Sequence, residues 1–343
     1  NSSFWSGRSV YVTGHTGFKG GWLAFWLTKL GAKVYGYSLE APTNPNFFNI
    51  INLGNKIHKS FIGNICDLTE VTNSMQTAKP SVIFHMAAQP LVKKSYQDPI
   101  ETFTTNIIGT MNIFEAARKI KTIDTIINVT TDKCYENQEW DKPYNETDRL
   151  GGYDPYSSSK ACSEIVTSAY RNSFFSETGI KLASVRAGNV IGGGDWASDR
   201  LIPDFIRSIN SNKTLKVRSP HAIRPWQHVL EPLSGYLLLA ERLVKDGKIF
   251  AEAWNFGPEQ SCAKKVSWVL DRLSKKFLDA RWESENIKQH HEAGILKLDI
   301  SKSKSKLGWS PQWSLETAID KTAEWYKAFE DNSDMEEFSI KQI

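Results

Sequence analysis

Tyr156 and Lys160 stand four residues apart in the run Tyr156-Ser157-Ser158-Ser159-Lys160. On a helix that spacing puts both side chains on one face. An ammonium beside a phenol favours phenolate, so the pair predicts a Tyr156 pKa drawn from about 10 towards neutral. Such a phenolate takes the proton of a substrate hydroxyl while hydride leaves the same carbon. The hydride needs an acceptor, and a second motif can hold one. Gly14, Gly17 and Gly20 are spaced G-x-x-G-x-x-G in Gly14-His15-Thr16-Gly17-Phe18-Lys19-Gly20. Glycine lets backbone approach phosphate oxygens, and a following helix offers unpaired N–H groups and a positive dipole end. The loop reads as a dinucleotide's pyrophosphate cradle, with Thr16, Phe18 and Lys19 among its contacts. Between the two motifs lies Thr130-Thr131-Asp132-Lys133. An acid and a base side by side suit elimination of water: one group takes a C–H proton, another protonates the departing hydroxyl. A solvated turn with an ion pair is the other reading of those residues.

Elements must bring these groups together. Residues 9–13 form a β-branched run that ends at the glycine loop, and residues 20–30 are too apolar for an exposed helix. Gly31 stops that helix, and residues 33–38 read as a second strand. Further strands are expected at 81–85, 125–129 and 181–186, and helices at 69–78, 107–119 and 158–171. The alternation predicts an α/β fold, a doubly wound parallel Rossmann sheet with ligands at the carboxyl ends of its strands. After about residue 190 the rhythm breaks. Gly192-Gly193-Gly194-Asp195-Trp196 reads as a flexible loop, and Pro203, Pro220, Pro225, Pro232 and Pro258 as interruptions. The expected division is residues 1–190 as the NAD-binding domain, with a short return between 225 and 260 near Asn255-Phe256-Gly257. Residues 191–343 would mainly form a smaller mixed α/β C-terminal substrate lobe.

The second strand ends at Ser38-Leu39-Glu40, near where a carboxylate meets the ribose hydroxyls of NAD. Glu40 and Ser38 both fall close to that place. No Arg is nearby for a 2′-phosphate, so NAD is predicted over NADP. Asp67 either accepts from the adenine amino group or caps the helix at 69–78. Ala87 and Ala88, after the strand at 81–85, are small enough for a cofactor to lie against backbone.

Composition limits the alternatives. The 343 residues are 40% hydrophobic and 23% charged, ordinary for a globular chain. A net charge of +4 with dispersed basic residues argues against a nucleic-acid groove. Lys302, Lys304 and Lys306 read as a solvated helix face. The four cysteines form no Cys-x-x-Cys pair, so reduced thiols and no metal site are expected. No apolar run reaches the roughly 18 residues of a membrane span, and no signal peptide is expected. Twelve tryptophans point to large flat packing surfaces.

Together these motifs resemble the extended short-chain dehydrogenase/reductases, in particular their nucleotide-sugar 4,6-dehydratases. The resemblance runs from about Ser9 to Trp313. It includes His85-Met86-Ala87-Ala88-Gln89, Thr105-Asn106-Ile107-Ile108-Gly109-Thr110, Arg186-Ala187-Gly188-Asn189-Val190, Arg224-Pro225-Trp226 and Leu307-Gly308-Trp309-Ser310-Pro311. Members acting on dTDP-glucose carry Asp-Glu where this chain has Asp132-Lys133; Asp-Lys looks like the branch acting on CDP-glucose. The resemblance implies that Tyr156 takes the C4 hydroxyl proton as hydride passes to NAD, with Thr131 bonded to that hydroxyl and Lys160 to the nicotinamide ribose. Asp132 and Lys133 would then remove water across C5 and C6 before hydride returns to C6. Lys133 serves as base only if its pKa falls well below about 10.4; otherwise it stays charged and another group moves the proton. Asn106 is implied on the cofactor side. Gln89, Ser95, Asn189, Arg218 and Arg224 are implied on the substrate side, or else form lobe-to-lobe hydrogen bonds. The family also implies a bacterial cytoplasmic enzyme supplying lipopolysaccharide dideoxyhexoses. It implies a homodimer or homotetramer paired through residues 100–119 and 156–175. A 4-epimerase shares the loop and Tyr-x-x-x-Lys but needs no acid–base pair after the fifth strand. A non-catalytic NAD-binding regulator would need none of Tyr156, Lys160 and Thr131.

Overall fold

Strands covered on both faces read as largely apolar runs. In a computed structural model that describes residues 1–277, 280–285 and 294–343, the inner strands of this chain are buried along nearly their whole length, while the edge strand at residues 59–62 is not. The strands are β1 (Ser9–Thr13), β2 (Lys33–Ser38), β3 (Lys59–Ile62), β4 (Val82–His85), β5 (Thr125–Val129), β6 (Lys181–Ala187) and β7 (Ala253–Phe256). They form one sheet in the order β7-β6-β5-β4-β1-β2-β3, every pair parallel. The chain runs outward from β1 to β3 and then crosses back to β4. The order therefore reverses between β1 and β4, where such sheets open a crevice for ligands.

Helices cover the sheet. They are α1 (Phe18–Lys29), α2 (Leu68–Ala78), α3 (Gly109–Arg118), entered through a π turn at Thr104–Ile108, and α4 (Pro155–Tyr170). The start of α4 lies three residues before the expected one. Asp154 caps it by accepting from the Ser157 N–H, and Pro155 occupies its first turn, where a missing N–H is harmless. Tyr156 is therefore already helical, and it shares a face with Lys160.

The remaining chain forms α5 (Leu201–Asn210), α6 (Leu230–Asp246) and α7 (Leu315–Glu330), with three two-stranded ribbons. Two expectations for this region are corrected. Pro203 and Pro232 do not interrupt structure; each sits in the first turn of its helix, α5 or α6. Residues 192–196 are buried rather than a flexible loop. A side chain at Gly193 would strike Trp325, and the Gly193 carbonyl accepts from Trp22 Nε1 at 2.9 Å. The glycines there serve close packing.

One apolar cluster runs from β1 and β4 through α1 to α6 and α7, and a second covers the other sheet face. Trp5, Trp22, Trp254 and Trp325 are fully buried in the first, so much of the tryptophan excess is core. Asn255 and Phe256 return in β7 beside β6. Lys302, Lys304 and Lys306 lie along a π turn and pair with Glu252 and Glu259.

Candidate active site

The carboxyl ends of β1, β2, β4, β5 and β6 open into a cavity of about 1650 Å³, closed from the far side by α5 and the residues around it. That exceeds the roughly 300–1,000 Å³ of a single-ligand pocket. It is lined by Gly14, Thr16, Gly17, Phe18, Lys19, Gly20, Ser38 and Glu40 at one end, and by Thr131, Asp132, Lys133, Tyr156 and Lys160 deeper in. Asn189, Arg200, Arg218 and Arg224 line the lobe side.

The glycine loop is built for close approach. Gly14 has φ +78, which favours glycine, and a Cβ there would lie 2.9 Å from the Ala87 nitrogen. A Cβ on Gly20 would lie 2.1 Å from the Gly14 carbonyl oxygen. No side chain caps α1 at Gly17, so its first-turn N–H groups are left for a ligand. Behind the loop a proton chain has one direction. The Thr13 hydroxyl accepts from the N–H groups of Met86 and Ala87, so its own proton goes to His85 Nδ1 at 2.8 Å. His85 Nε2–H then donates to Thr110 Oγ1, and Thr110 to the Asn106 carbonyl. Burial holds His85 neutral, its pKa down to about 3. These bonds fix Met86 and Ala87 in the cavity wall, where Ala88 follows. His15 is likewise buried and neutral, its pKa down to about 4, and it holds Ser38 Oγ at 3.0 Å. The residues present therefore fit a dinucleotide, with Ser38 and Glu40 both facing it.

Of two residues named for the cofactor side, Asp67 takes its alternative role as a helix cap and Asn106 lies behind the cavity wall. Asp67 caps α2, accepting from the Thr69 and Glu70 N–H groups, and is absent from the cavity wall. Asn106 lies behind the wall; its amide accepts from the Gln89 N–H and donates to the Gln89 carbonyl and Ser159 Oγ. Asn106 satisfies backbone groups that the fold would otherwise bury unpaired, and Asp67 satisfies the first N–H groups of an exposed helix start.

At the deep end, Thr131 caps a short turn at Asp132–Cys134. Its hydroxyl donates to Asp132 Oδ1 at 3.1 Å, and Thr131 acts on Tyr156 to lower its pKa. Tyr156, Thr131 and Asp132 therefore stand together at the deep end. Asp132 Oδ2 is buried with no partner among the described residues. Burial pushes the Asp132 carboxyl up to about 6, against the opposing pull of Lys133, the Thr131 bond and Arg224. The phenol departs from expectation. Burial pushes Tyr156 up to about 12, more than the Thr131 bond offsets. Lys160 is not among the groups that draw it down, and its ammonium donates to the Val129 carbonyl at 3.1 Å. Burial lowers Lys160 itself to about 8, with Glu164 and Cys134 opposing. Glu164, one turn further along α4, forms a buried ion pair with Arg186 at 2.9 Å and accepts from Thr130 and Ser184. That network anchors α4 to β5 and β6 beneath the reacting groups.

On the substrate side, Arg224 is buried, donates to the Ile223 and Gly294 carbonyls and lines the cavity. Arg218 pairs with Asp199, and the Asn189 carbonyl accepts from the Gln227 N–H. Gln89 lines the wall, but its amide is bonded to Leu91 and Thr102. Ser95 does not reach the cavity; it is fully buried and donates to the Val92 carbonyl. The sequence reading missed Arg200 and Tyr236. Arg200 lines the cavity, pairs with Asp195 at 2.9 Å and acts electrostatically on Tyr156. Tyr236 accepts from Lys19 Nζ at 2.7 Å. Neither stands in a motif, so only proximity reveals them.

The sheet, the glycine loop and the Tyr156–Lys160 helix define an extended short-chain dehydrogenase/reductase. The model of the family described as GDP-mannose 4,6 dehydratase matches residues 11–322, and the chain belongs to that family of nucleotide-sugar 4,6-dehydratases. It is 50% identical, over all of this chain and 97% of the relative, to the CDP-glucose 4,6-dehydratase of Salmonella typhimurium strain LT2. It is 25% identical to human dTDP-D-glucose 4,6-dehydratase over 81% of this chain and 78% of that one. The fold is shared with the dTDP-glucose 4,6-dehydratase of Bacillus anthracis in complex with NAD (TM-score 0.78, 21% identity, 95% of this chain and 98% of that one). It is shared too with the UDP-glucose 4-epimerase of Stenotrophomonas maltophila with bound NAD (TM-score 0.81, 18% identity, 95% and 100%).

Proposed function

We propose that this protein converts CDP-glucose to CDP-4-keto-6-deoxyglucose with retained NAD. The 50% identity over the whole chain to a CDP-glucose 4,6-dehydratase carries the substrate. The grouping of Tyr156, Thr131 and Asp132, with Lys133 beside them, supports the reaction. NAD, when bound, supplies a hydride acceptor that later returns the hydride, and brings positive charge to the catalytic end. The glycine loop, the first turn of α1, Ser38 and Glu40 would hold it. Tyr156 Oη takes the proton of the C4 hydroxyl, and Thr131 Oγ1 orients that hydroxyl. Arg200 favours the phenolate electrostatically. Asp132, with a pKa near 6, is the acid suited to protonate the departing C6 hydroxyl, and Lys133 stands at the other side of the elimination. Arg218 and Arg224 offer guanidinium groups to the diphosphate, and Asn189 an amide to the sugar.

Incubation with CDP-, dTDP-, UDP- and GDP-glucose should give the alkaline absorbance of a 4-keto sugar with CDP-glucose foremost. No product from any of them would overturn the reading; product from another nucleotide alone would overturn the substrate. Activity with NADP above NAD, measured on stripped enzyme, would overturn the cofactor. A homodimer goes with this reading. Ile100, 76% exposed, and Ile165, 57% exposed, lie on or beside α3 and α4 in the region expected to pair. A bacterial cytoplasmic setting and a role in supplying dideoxyhexoses accord with the substrate.

A further inference from the structure

A nucleoside diphosphate is an anion, so a carboxylate in the wall of its cavity must be held by a cation or meet an uncharged donor of the ligand. On the lobe side, Asp195, Asp199, Asp204 and Glu285 line the cavity. Asp195 is held by Arg200 at 2.9 Å, and Asp199 by Lys93 at 3.1 Å and Arg218 at 3.5 Å. Asp204 is the fourth residue of α5, and Leu201, Ile202 and Pro203 before it line the same wall. Its Oδ1 accepts from Arg207, whose guanidinium also donates to the Trp196 and Ala197 carbonyls at 2.8 and 3.1 Å. Arg207 therefore fixes the carboxylate in place. A carboxylate has about four lone-pair sites, so this pairing leaves acceptor capacity for a ligand. Burial raises the Asp204 carboxyl, with Arg207 opposing; Asp199 adds to the rise and Arg218 opposes it.

The wall around Asp204 is otherwise apolar. Leu215 and Val217 stand at alternate positions of a ribbon strand and are both buried, and they line the cavity with Ala222 and Val266. A flat ring fits such a slot, and a diphosphate does not. The hexose belongs beside Tyr156, Thr131 and Asp132, where the reaction takes place. The uncharged donors left on CDP-glucose are then the ribose hydroxyls and the 4-amino group of cytosine. A carboxylate accepts well from that amino group. Uracil and thymine carry a carbonyl at the same position, which would set lone pair against lone pair. We propose that Asp204, held by Arg207, accepts from the 4-amino group of cytosine and so discriminates against uracil and thymine. The inference rests on the CDP-glucose reading above and names the residue that enforces it.

The test measures kcat/KM for CDP-, UDP- and dTDP-glucose with the full-length protein in saturating NAD. Asp204→Asn keeps the shape, loses the charge and offers an N–H to a carbonyl. It should lower kcat/KM for CDP-glucose and raise it for UDP-glucose, so that their ratio falls roughly 10–100-fold, mainly through KM. An equal loss with CDP- and UDP-glucose would put the carboxylate on the ribose and overturn the inference. An unchanged ratio would make Asp204 only the helix partner of Arg207, with the same consequence. A ratio that moves in Glu285→Gln but not in Asp204→Asn would also overturn it. If Asp204→Asn does not fold, Asp204→Ser is judged by the same ratio. A wild-type preference for CDP-glucose that survives these variants overturns this inference alone. Wild-type protein that favours another nucleotide, or forms product from none, overturns the CDP-glucose reading as well.

Discussion

Burying a carboxylate with one oxygen unpaired opposes folding, and Asp132 is held that way. Its pKa near 6 lies above the unfolded value of 3.8, so the folded protein prefers it protonated. The stability this contributes is full below about pH 4 and is lost as pH rises through about 6. Asp132→Asn should therefore stabilise the protein at pH 8 by up to about 3 kcal/mol and leave it unchanged near pH 4, while abolishing turnover. Urea unfolding at the two pH values checks this; equal stability at pH 8 would mean that Asp132 has a partner in solution. Lys133→Ala should still oxidise C4, seen as reduced-cofactor absorbance, yet release no 4-keto-6-deoxy product. Near-normal elimination in that variant would remove Lys133 from the role of base. The residue types at this site were legible because Asp132 and Lys133 directly follow a strand. Their protonation states were not. Spacing placed Lys160 on the face of Tyr156, but only packing turned its ammonium to the Val129 carbonyl and buried the phenol.

Among the elements, α1 and α4 carry most of the site, and each depends on one tight feature. For α1 it is Gly20 against the Gly14 carbonyl. Gly20→Ala should lose bound dinucleotide, measured as absorbance retained after gel filtration, because the loop must open to admit the methyl group. For α4 it is the ion pair of Glu164 with Arg186. Glu164→Ala leaves a buried guanidinium unpaired and should cost about 3–5 kcal/mol in chemical denaturation. A loss below 1 kcal/mol would mean that Arg186 finds water. The strands β1, β2 and β5 fall where the pattern of the chain predicts them, since strands buried on both faces announce themselves as apolar runs. Helix starts were less legible. Asp154 and Pro155 are a recognisable start signal, yet a run of serines after them hides the helix that they begin.

At the scale of the molecule, the exposed Ile100 and Ile165 support the proposed pairing of subunits. Ile100→Glu combined with Ile165→Glu should turn a dimer into a monomer in sedimentation equilibrium. A wild-type protein that is already monomeric would remove that interface. The second lobe is not a detachable cap. One apolar cluster joins β1 and β4 to α6 and α7, and β7 completes the main sheet from within the second half of the chain.

The sequence by itself determined most of the sheet, the glycine loop, the helix that carries Tyr156 and Lys160, and the placing of Asp132 and Lys133 after a strand, because each is written in neighbouring residues. Tertiary structure decided what came from afar. It set Tyr236 against Lys19, 217 positions away, and gave Arg200 a place near Tyr156. It made Asn106 and Ser95 parts of the scaffold and Asp67 a helix cap. The reason is physical: periodicity fixes which face a side chain occupies, but a hydrogen-bond partner and a desolvated charge depend on every chain segment that closes over it.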